Sequence, residues 1–395
     1  MSRSVYLDAP ASTPMDPLVA DAMVEVLRHV HANPASAHFA GHRARGLVDD
    51  AREHVGALAH QGPTSVIFTS GATESNALAL RGLLGAAGTR SEFVSCTTEH
   101  PAVLQALRVL GAEGHRVHLV GVDRDGRLNL DELAATVSDR TLLVSVMAAN
   151  NETGVLADLP AVTRIAHYAG AYVHTDASQL LTWGALPLDH DVDLVTVSGH
   201  KMHGPQGVGA LIVSREARRK LQPIQVGGGQ EGGLRSGTTN VAGVVGLGRA
   251  AELAKQLGPN AAPQTCALRD LLFDQLCEAL PVALLNGHRD HRLPGTLNVA
   301  IGTDGDEVDA HAVLASAPDV AASTGSACSA GTPQPSPVLL AMGLGADRAA
   351  SSLRLGLSRM SDPRDVQDAV PVLVKAVLTV RQRTFDPQER LVRTA

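Results

Sequence analysis

The stretch Asp193-Leu-Val-Thr-Val-Ser-Gly-His-Lys201 decides how the rest of the chain is read. Its apolar and small hydroxyl side chains alternate, as in a strand. Gly199 then breaks the run and leaves Lys201 at its carboxyl end, where α/β proteins seat their ligands. A lone lysine there would read equally well as a surface residue in a turn. Upstream, however, Tyr172-Val-His-Thr-Asp176 is a second strand-like run that ends in a carboxylate, with Gln179 three residues further on.

A strand-end amine and a strand-end carboxylate are what pyridoxal 5'-phosphate (PLP) chemistry requires. The amine forms a Schiff base with the aldehyde, and the carboxylate pairs with the pyridinium nitrogen. Other stretches fit that reading. Ser65-Val-Ile-Phe68 reads as a strand that enters the small-residue turn Thr69-Ser-Gly-Ala-Thr-Glu74, with a helix expected from about Ser75 to Leu84. Free backbone N–H groups at such a helix start bind anions; Gly71 permits close approach and Thr73 adds a hydroxyl. His100, between a strand ending at Cys96 and a helix opening at Pro101, is either structural or placed to stack on a flat ring. Thr141 to Met147 is a nearly continuous apolar run, the mark of a buried parallel strand. Asn150 and Asn151 follow it, as turn residues or as amides for a ring oxygen or a carboxylate. The glycine-rich segment Gly227 to Thr239 reads as a linker or as a loop whose Arg235, Ser236 and Thr238 close over an anion, from a neighbouring subunit.

The 395 residues suit two domains. An apolar fraction of 44% with 18% charged residues describes a globular chain, and 2% aromatics leaves Ala, Val and Leu to build the core. The net charge, 33 − 40 = −7, argues against broad electrostatic binding of nucleic acid. No run reaches transmembrane length and the first residues lack a signal-peptide core, so a cytoplasmic address is the default. The expected organisation is a large PLP-binding domain over 14–258 and a smaller α+β domain from 1–13 and 259–395. A helix is expected to end at Gly258-Pro259 and another to start near Gln264. Cys96, Cys266 and Cys277 read as buried or inert thiols, and no cysteine spacing suggests a metal.

Eight motifs occur in order: Phe68-Thr-Ser-Gly-Ala-Thr-Glu-Ser75, Thr98-Glu-His100, Asn150-Asn-Glu152, His174-Thr-Asp-Ala-Ser-Gln179, Ser198-Gly-His-Lys201, Arg235-Ser-Gly-Thr238, Gly325-Ser-Ala-Cys328 and Ser351-Ser-Leu-Arg354. Together they resemble the NifS/IscS-type cysteine desulfurases, PLP-dependent enzymes of the class V aminotransferase family, over roughly residues 5 to 380. The resemblance implies fold type I with a mainly parallel central sheet. It implies Lys201 as the Schiff-base lysine and proton carrier, and Asp176 as partner of the pyridine nitrogen. Gln179 and Asn151 would address the ring hydroxyl. Ala72, Thr73, Ser198 and His200 would hold the phosphate, with Thr238 from a second subunit, and hence a homodimer. His100 would stack on the ring and serve as acid or base. Arg354, with Asn151, would bind the substrate carboxylate. Cys328 would take the sulfur of L-cysteine as a persulfide, release alanine and pass the sulfur to an acceptor protein.

The chain departs from the family at Ala9-Pro10-Ala11, at Gln230 and Gly232, and at Thr332-Pro-Gln-Pro335, none of them a PLP residue. Iron–sulfur clusters, tRNA thiolation, cofactor sulfur and DNA phosphorothioation are all open as destinations of the sulfur. Selenocysteine lyase, small-substrate aminotransferase and non-catalytic scaffold are the competing readings.

Overall fold

The computed structural model describes residues 3–86, 88, 90–187, 191–302, 306–324 and 334–385. Strand β1 (Val5–Tyr6) leads to helices α1 (Pro17–His29) and α2 (Phe39–Gly56). Asp16 caps α1 by accepting the Leu18 N–H at 2.9 Å, and Pro17 presets its first turn. Then come β2 (Val66–Thr69), α3 (Ala72–Gly82), β3 (Glu92–Cys96), α4 (Pro101–Ala112), β4 (Arg116–Val120) and α5 (Leu130–Thr136). They are followed by β5 (Thr141–Ser145), α6 (Leu159–Tyr168), β6 (Tyr172–Asp176), β7 (Leu194–Ser198), β8 (Gly209–Val213) and α7 (Arg215–Lys220).

These strands make one seven-stranded sheet, ordered β2-β8-β7-β6-β5-β3-β4. All are parallel except β8, which runs against both β2 and β7. The mainly parallel sheet expected from the sequence is present. β2, β3, β5, β7 and β8 are buried along their whole length, as strands covered on both faces are. Because β2, β3, β5, β6 and β7 point the same way, the chain leaves Thr69, Cys96, Ser145, Asp176 and Ser198 along one edge of the sheet. Phe68 and Phe93 are buried within a core that is otherwise chiefly Val, Leu and Ala.

Helix α8 (Val241–Ala279) corrects the sequence reading, because it runs through Gly258-Pro259 without a break. Pro259 and Pro263 remove the N–H groups that would bond the carbonyls of Lys255 and Pro259. Both of those residues are exposed, so water can satisfy the freed carbonyls. Buried side chains on either side of the prolines, Leu247 to Ala254 and Leu272 to Leu276, hold the helix together. Its first half crosses α2 closely: a Cβ on Gly248 would lie 2.5 Å from the Cα of Ala51.

The remaining chain gives β9 (Ala283–Leu285), β10 (Thr296–Ile301), α9 (Ala310–Ala315), β11 (Val320–Ala321), β12 (Ser323–Thr324), α10 (Pro337–Ala341), α11 (Ala346–Ala350), β13 (Ser352–Gly356) and α12 (Pro363–Phe385). β12-β13-β10-β9 form an antiparallel sheet, and β1 pairs in parallel with β11. Val5 and Leu7 join the core made by Leu272, Leu297, Val299, Leu355 and Leu373, so the N-terminal strand packs with C-terminal elements. No helix among the described residues is long and apolar enough to cross a membrane.

The α2–α8 approach is directly testable. Gly248→Val forces the two helices apart and is expected to lower stability by about 1–3 kcal/mol, the usual cost of overpacking. Urea denaturation followed by circular dichroism measures it; a midpoint equal to that of the wild type would show that the contact yields freely.

Candidate active site

A cavity of about 560 Å³ opens at the carboxyl ends of the parallel strands. Ala72, Thr73, His100, Asn151, Ser198, His200, Lys201 and Arg354 all line it. The sequence scatters these eight residues over nearly three hundred positions, and the parallel sheet brings them together.

Asp176 ends β6 and is buried. Its Oδ2 accepts from Asn76 Nδ2 at 2.8 Å and its Oδ1 from the Ser178 N–H at 3.0 Å. Burial pushes the carboxyl pKa up, but the Lys201 charge and these hydrogen bonds outweigh it and bring it below the ordinary value. Asp176 is therefore an anion at neutral pH. Lys201 follows β7 in a tight turn over Gly199–Lys201. His100 caps α4, accepting the Ala102 N–H at Nδ1 (3.1 Å), with Pro101 in the first turn. Burial and the Lys201 charge lower its pKa, so its ring is neutral. His200 is pushed down to about 4, first by burial and then by Lys201, and its Nδ1 meets Ser12 Oγ at 3.2 Å.

Helix α3 begins at Ala72, three residues earlier than the sequence suggested. Gly71 (φ +150°) turns the chain, and the Glu74 carboxylate reaches back to accept the Ser70 N–H at 2.7 Å. Ala72 and Thr73 thus lie in the first turn, where N–H groups are unpaired and the helix dipole favours an anion.

The paired asparagines divide their work. Asn150 is structural: Oδ1 accepts from the N–H groups of Glu152 and Thr153, both at 2.9 Å, and Nδ2 donates to the Thr98 carbonyl at 3.1 Å. Buried Glu99 accepts the Met147 N–H at 2.6 Å and ties the same two loops. Asn151 is left facing the cavity. Its carbonyl accepts from Arg354 Nη1 at 3.1 Å, while Arg354 Nη2 pairs with Asp8 at 2.8 Å. Arg354 is 2% exposed, yet its Nε has no hydrogen-bond partner among the described residues.

Gln179 and Asp176 stand outside the cavity lining; Gln179 donates from Nε2 to the Pro10 carbonyl at 2.9 Å. Thr238 lines a separate cavity of about 170 Å³ that shares Ser70, Gly207 and Val208 with the larger one. Arg235 is not an anion grip, because it pairs with Glu74 at 2.8 Å. Glu231 accepts from both Arg52 Nη atoms at 2.7 and 2.8 Å and from the Phe68 N–H at 3.0 Å, which docks the glycine-rich loop on α2 and β2. Cys328 lies outside the described residues. Cys96 is buried and its thiol is pushed up to about 11 by that burial, in keeping with an inert cysteine.

Asn76, Ser12 and Asp8 had no role in the sequence reading. Asn76 could have been found: it lies four residues after Ala72, one turn along the same helical face, and one residue beyond the motif quoted for that segment.

The family model Aminotransferase class-V matches residues 5–368. The chain is 41% identical over 387 residues to cysteine desulfurase IscS of Anaeromyxobacter sp. (strain Fw109-5), covering 97% of this chain and 94% of the relative. The chain belongs to the cysteine desulfurases of the class V aminotransferase family. Two solved structures agree. A NifS-like protein superposes with a TM-score of 0.88 at 32% identity, over 95% of this chain and 100% of its own. SspA in complex with cysteine superposes with a TM-score of 0.80 at 30% identity, over 91% and 100%.

The cofactor of these desulfurases is pyridoxal 5'-phosphate. The cavity fits it. A buried carboxylate held anionic beside Lys201 suits a protonated pyridine nitrogen, and the Gly71-Ala72-Thr73 helix start suits a phosphate.

His174, His200 and His203 are all pushed down to about 4 by burial. Each stays neutral in the folded chain where an unfolded histidine takes up a proton. Their contribution to stability is therefore complete above about pH 6.5 and is lost as pH falls toward 4. His174→Gln removes one such contribution and should give a shallower dependence of Tm on pH across that window. Thermal melts from pH 7 to 4 check it; slopes equal in variant and wild type contradict it.

Proposed function

We propose that this desulfurase moves the sulfur of L-cysteine onto Cys328 and from there to an acceptor protein. The observation that carries the reading is the convergence of Lys201, His100 and Arg354 on one cavity at the strand ends, with buried, anionic Asp176 behind it interacting with Lys201. When bound, the cofactor supplies an electron sink for the carbon skeleton of cysteine.

Lys201 would hold the cofactor covalently and carry protons, and Asp176 would keep the pyridine nitrogen protonated. Asn151 and Gln179 would serve the ring hydroxyl. Ala72, Thr73, Ser198 and His200 would hold the phosphate, joined by Thr238 of the partner subunit. His100 would lie against the ring and serve as acid or base. Arg354 is suited to the substrate carboxylate because its planar fork is buried and its Nε lacks a partner among the described residues. The Cys328 thiolate takes the sulfur atom, the carbon–sulfur bond breaks with its electrons left on carbon, and a proton delivered to that carbon completes alanine.

A homodimer is the working assembly in this reading. Thr238 sits in a neighbouring cavity of its own chain, and Phe39 (88% exposed) and Val226 (78%) leave apolar surface for a second copy. The domain division at 258/259, with residues 1–13 joined to the smaller part, is supported by the packing of Val5 and Leu7 in the C-terminal core. Iron–sulfur cluster assembly is the destination that the IscS relative favours.

An absorbance spectrum taken before and after L-cysteine, with alanine and sulfide assayed in the same tube, tests the reading. Cys328→Ala should keep the cofactor band and lose sulfur release by at least about 100-fold, as loss of a nucleophile does. Full release by that variant overturns it. Arg354→Lys should raise KM for cysteine about tenfold or more, since lysine cannot make the bidentate contact; an unchanged KM removes the carboxylate role.

A further inference from the structure

Two carboxylates with no part in the proposed chemistry flank Arg354. Asp8 pairs through Oδ1 with Arg354 Nη2, and its Oδ2 accepts from Ser323 Oγ, both at 2.8 Å. Ser323 lies on β12 directly opposite Arg354 of β13, and Thr324 is the last described residue before Cys328. Glu152 is 5% exposed and accepts a short hydrogen bond from Ser336 Oγ. Ser336 caps α10, two residues after the described chain resumes at Gln334. Burial pushes the Glu152 carboxyl up to about 7, against the pull of Ser336 and the Arg354 charge. Glu152 is also the next residue after Asn151, whose carbonyl Arg354 holds. Each carboxylate therefore bonds a serine at one end of residues 325–333, and both answer to the same guanidinium.

We propose that Asp8 and Glu152 are positioning residues for sulfur transfer, holding both ends of the Cys328-bearing segment in register with Arg354 through Ser323 and Ser336. The proposal rests on the reading that Cys328 accepts the sulfur. A thiol on a tether meets its target at an effective concentration set by where the tether is fixed. Misplacing a reacting group by about 1 Å can cost a hundredfold in rate. Ser323 lies opposite Arg354, and Ser336 bonds the carboxylate next to the carbonyl that Arg354 holds, so both anchors refer to the cation proposed to hold the substrate carboxylate.

The test uses the holoenzyme with Ser323→Ala and Ser336→Ala combined. A single turnover of L-cysteine is followed by mass spectrometry of the Cys328 persulfide. Before cysteine is added, alkylation of Cys328 by iodoacetamide is timed against Cys266 and Cys277. The double variant should form the persulfide about tenfold more slowly, with KM within about twofold. Its Cys328 alkylation should change severalfold while the two reference cysteines do not. Ser323→Thr with Ser336→Thr keeps both hydroxyls and should restore all three readouts. A wild-type rate and alkylation in the alanine pair overturns the proposal. So does a loss that threonine fails to restore, or one matched by equal loss of substrate affinity and Tm. Cys328→Ala run alongside separates the two ideas. If it is inactive while the alanine pair behaves as wild type, only the positioning role falls; if it keeps full activity, the sulfur-acceptor reading falls and takes this one with it.

Discussion

A buried carboxylate facing a lysine is the constraint on which the rest of this structure turns. Asp176 cannot remain charged inside a sheet protein without help, because burial alone would neutralise it. Its support comes from three places: Asn76 on α3, the Ser178 backbone, and Lys201 after β7. Those groups meet only if β6 and β7 are parallel neighbours and α3 starts close to the sheet edge. Such a pair contributes little to stability and can even cost some. What it secures is a fixed negative charge, at a known place, beside an amine.

The glycine-rich loop is held by the same economy of charge. Glu231 and Glu74 each receive a guanidinium and a backbone N–H: Arg52 and Phe68 for the first, Arg235 and Ser70 for the second. Both carboxylates sit where the chain turns from strand to helix or from loop to sheet. Segments with little side-chain packing of their own are in this way fastened by forked hydrogen bonds, which specify direction as well as distance.

Much of this was legible in the sequence. Lys201 and Asp176 stood out because period-two patterning marks where a strand ends, and strand ends are where a parallel sheet exposes chemistry. The reading failed where tertiary context decides. Gly258-Pro259 is a sound local stop signal, yet α8 passes through it because the residues whose carbonyls lose a partner are exposed and both halves are packed. Arg235 looked like an anion ligand because its partner, Glu74, lies 161 residues away. Glu152 was in view within its motif and Asp8 was not, but the charge of each acquires meaning only beside Arg354. No periodicity encodes a meeting of β1, β13 and the loop after β5.

Helix α8 has a consequence for how the molecule comes apart. Its first half packs with α1 and α2 on the large sheet, and its second half meets α12 beside the small one. Melting one half would end the helix in mid-span and strand buried leucines on the other side. The two sheets are thus thermodynamic dependants of a single rod, and heat should find one cooperative transition where two separate cores would give a pair.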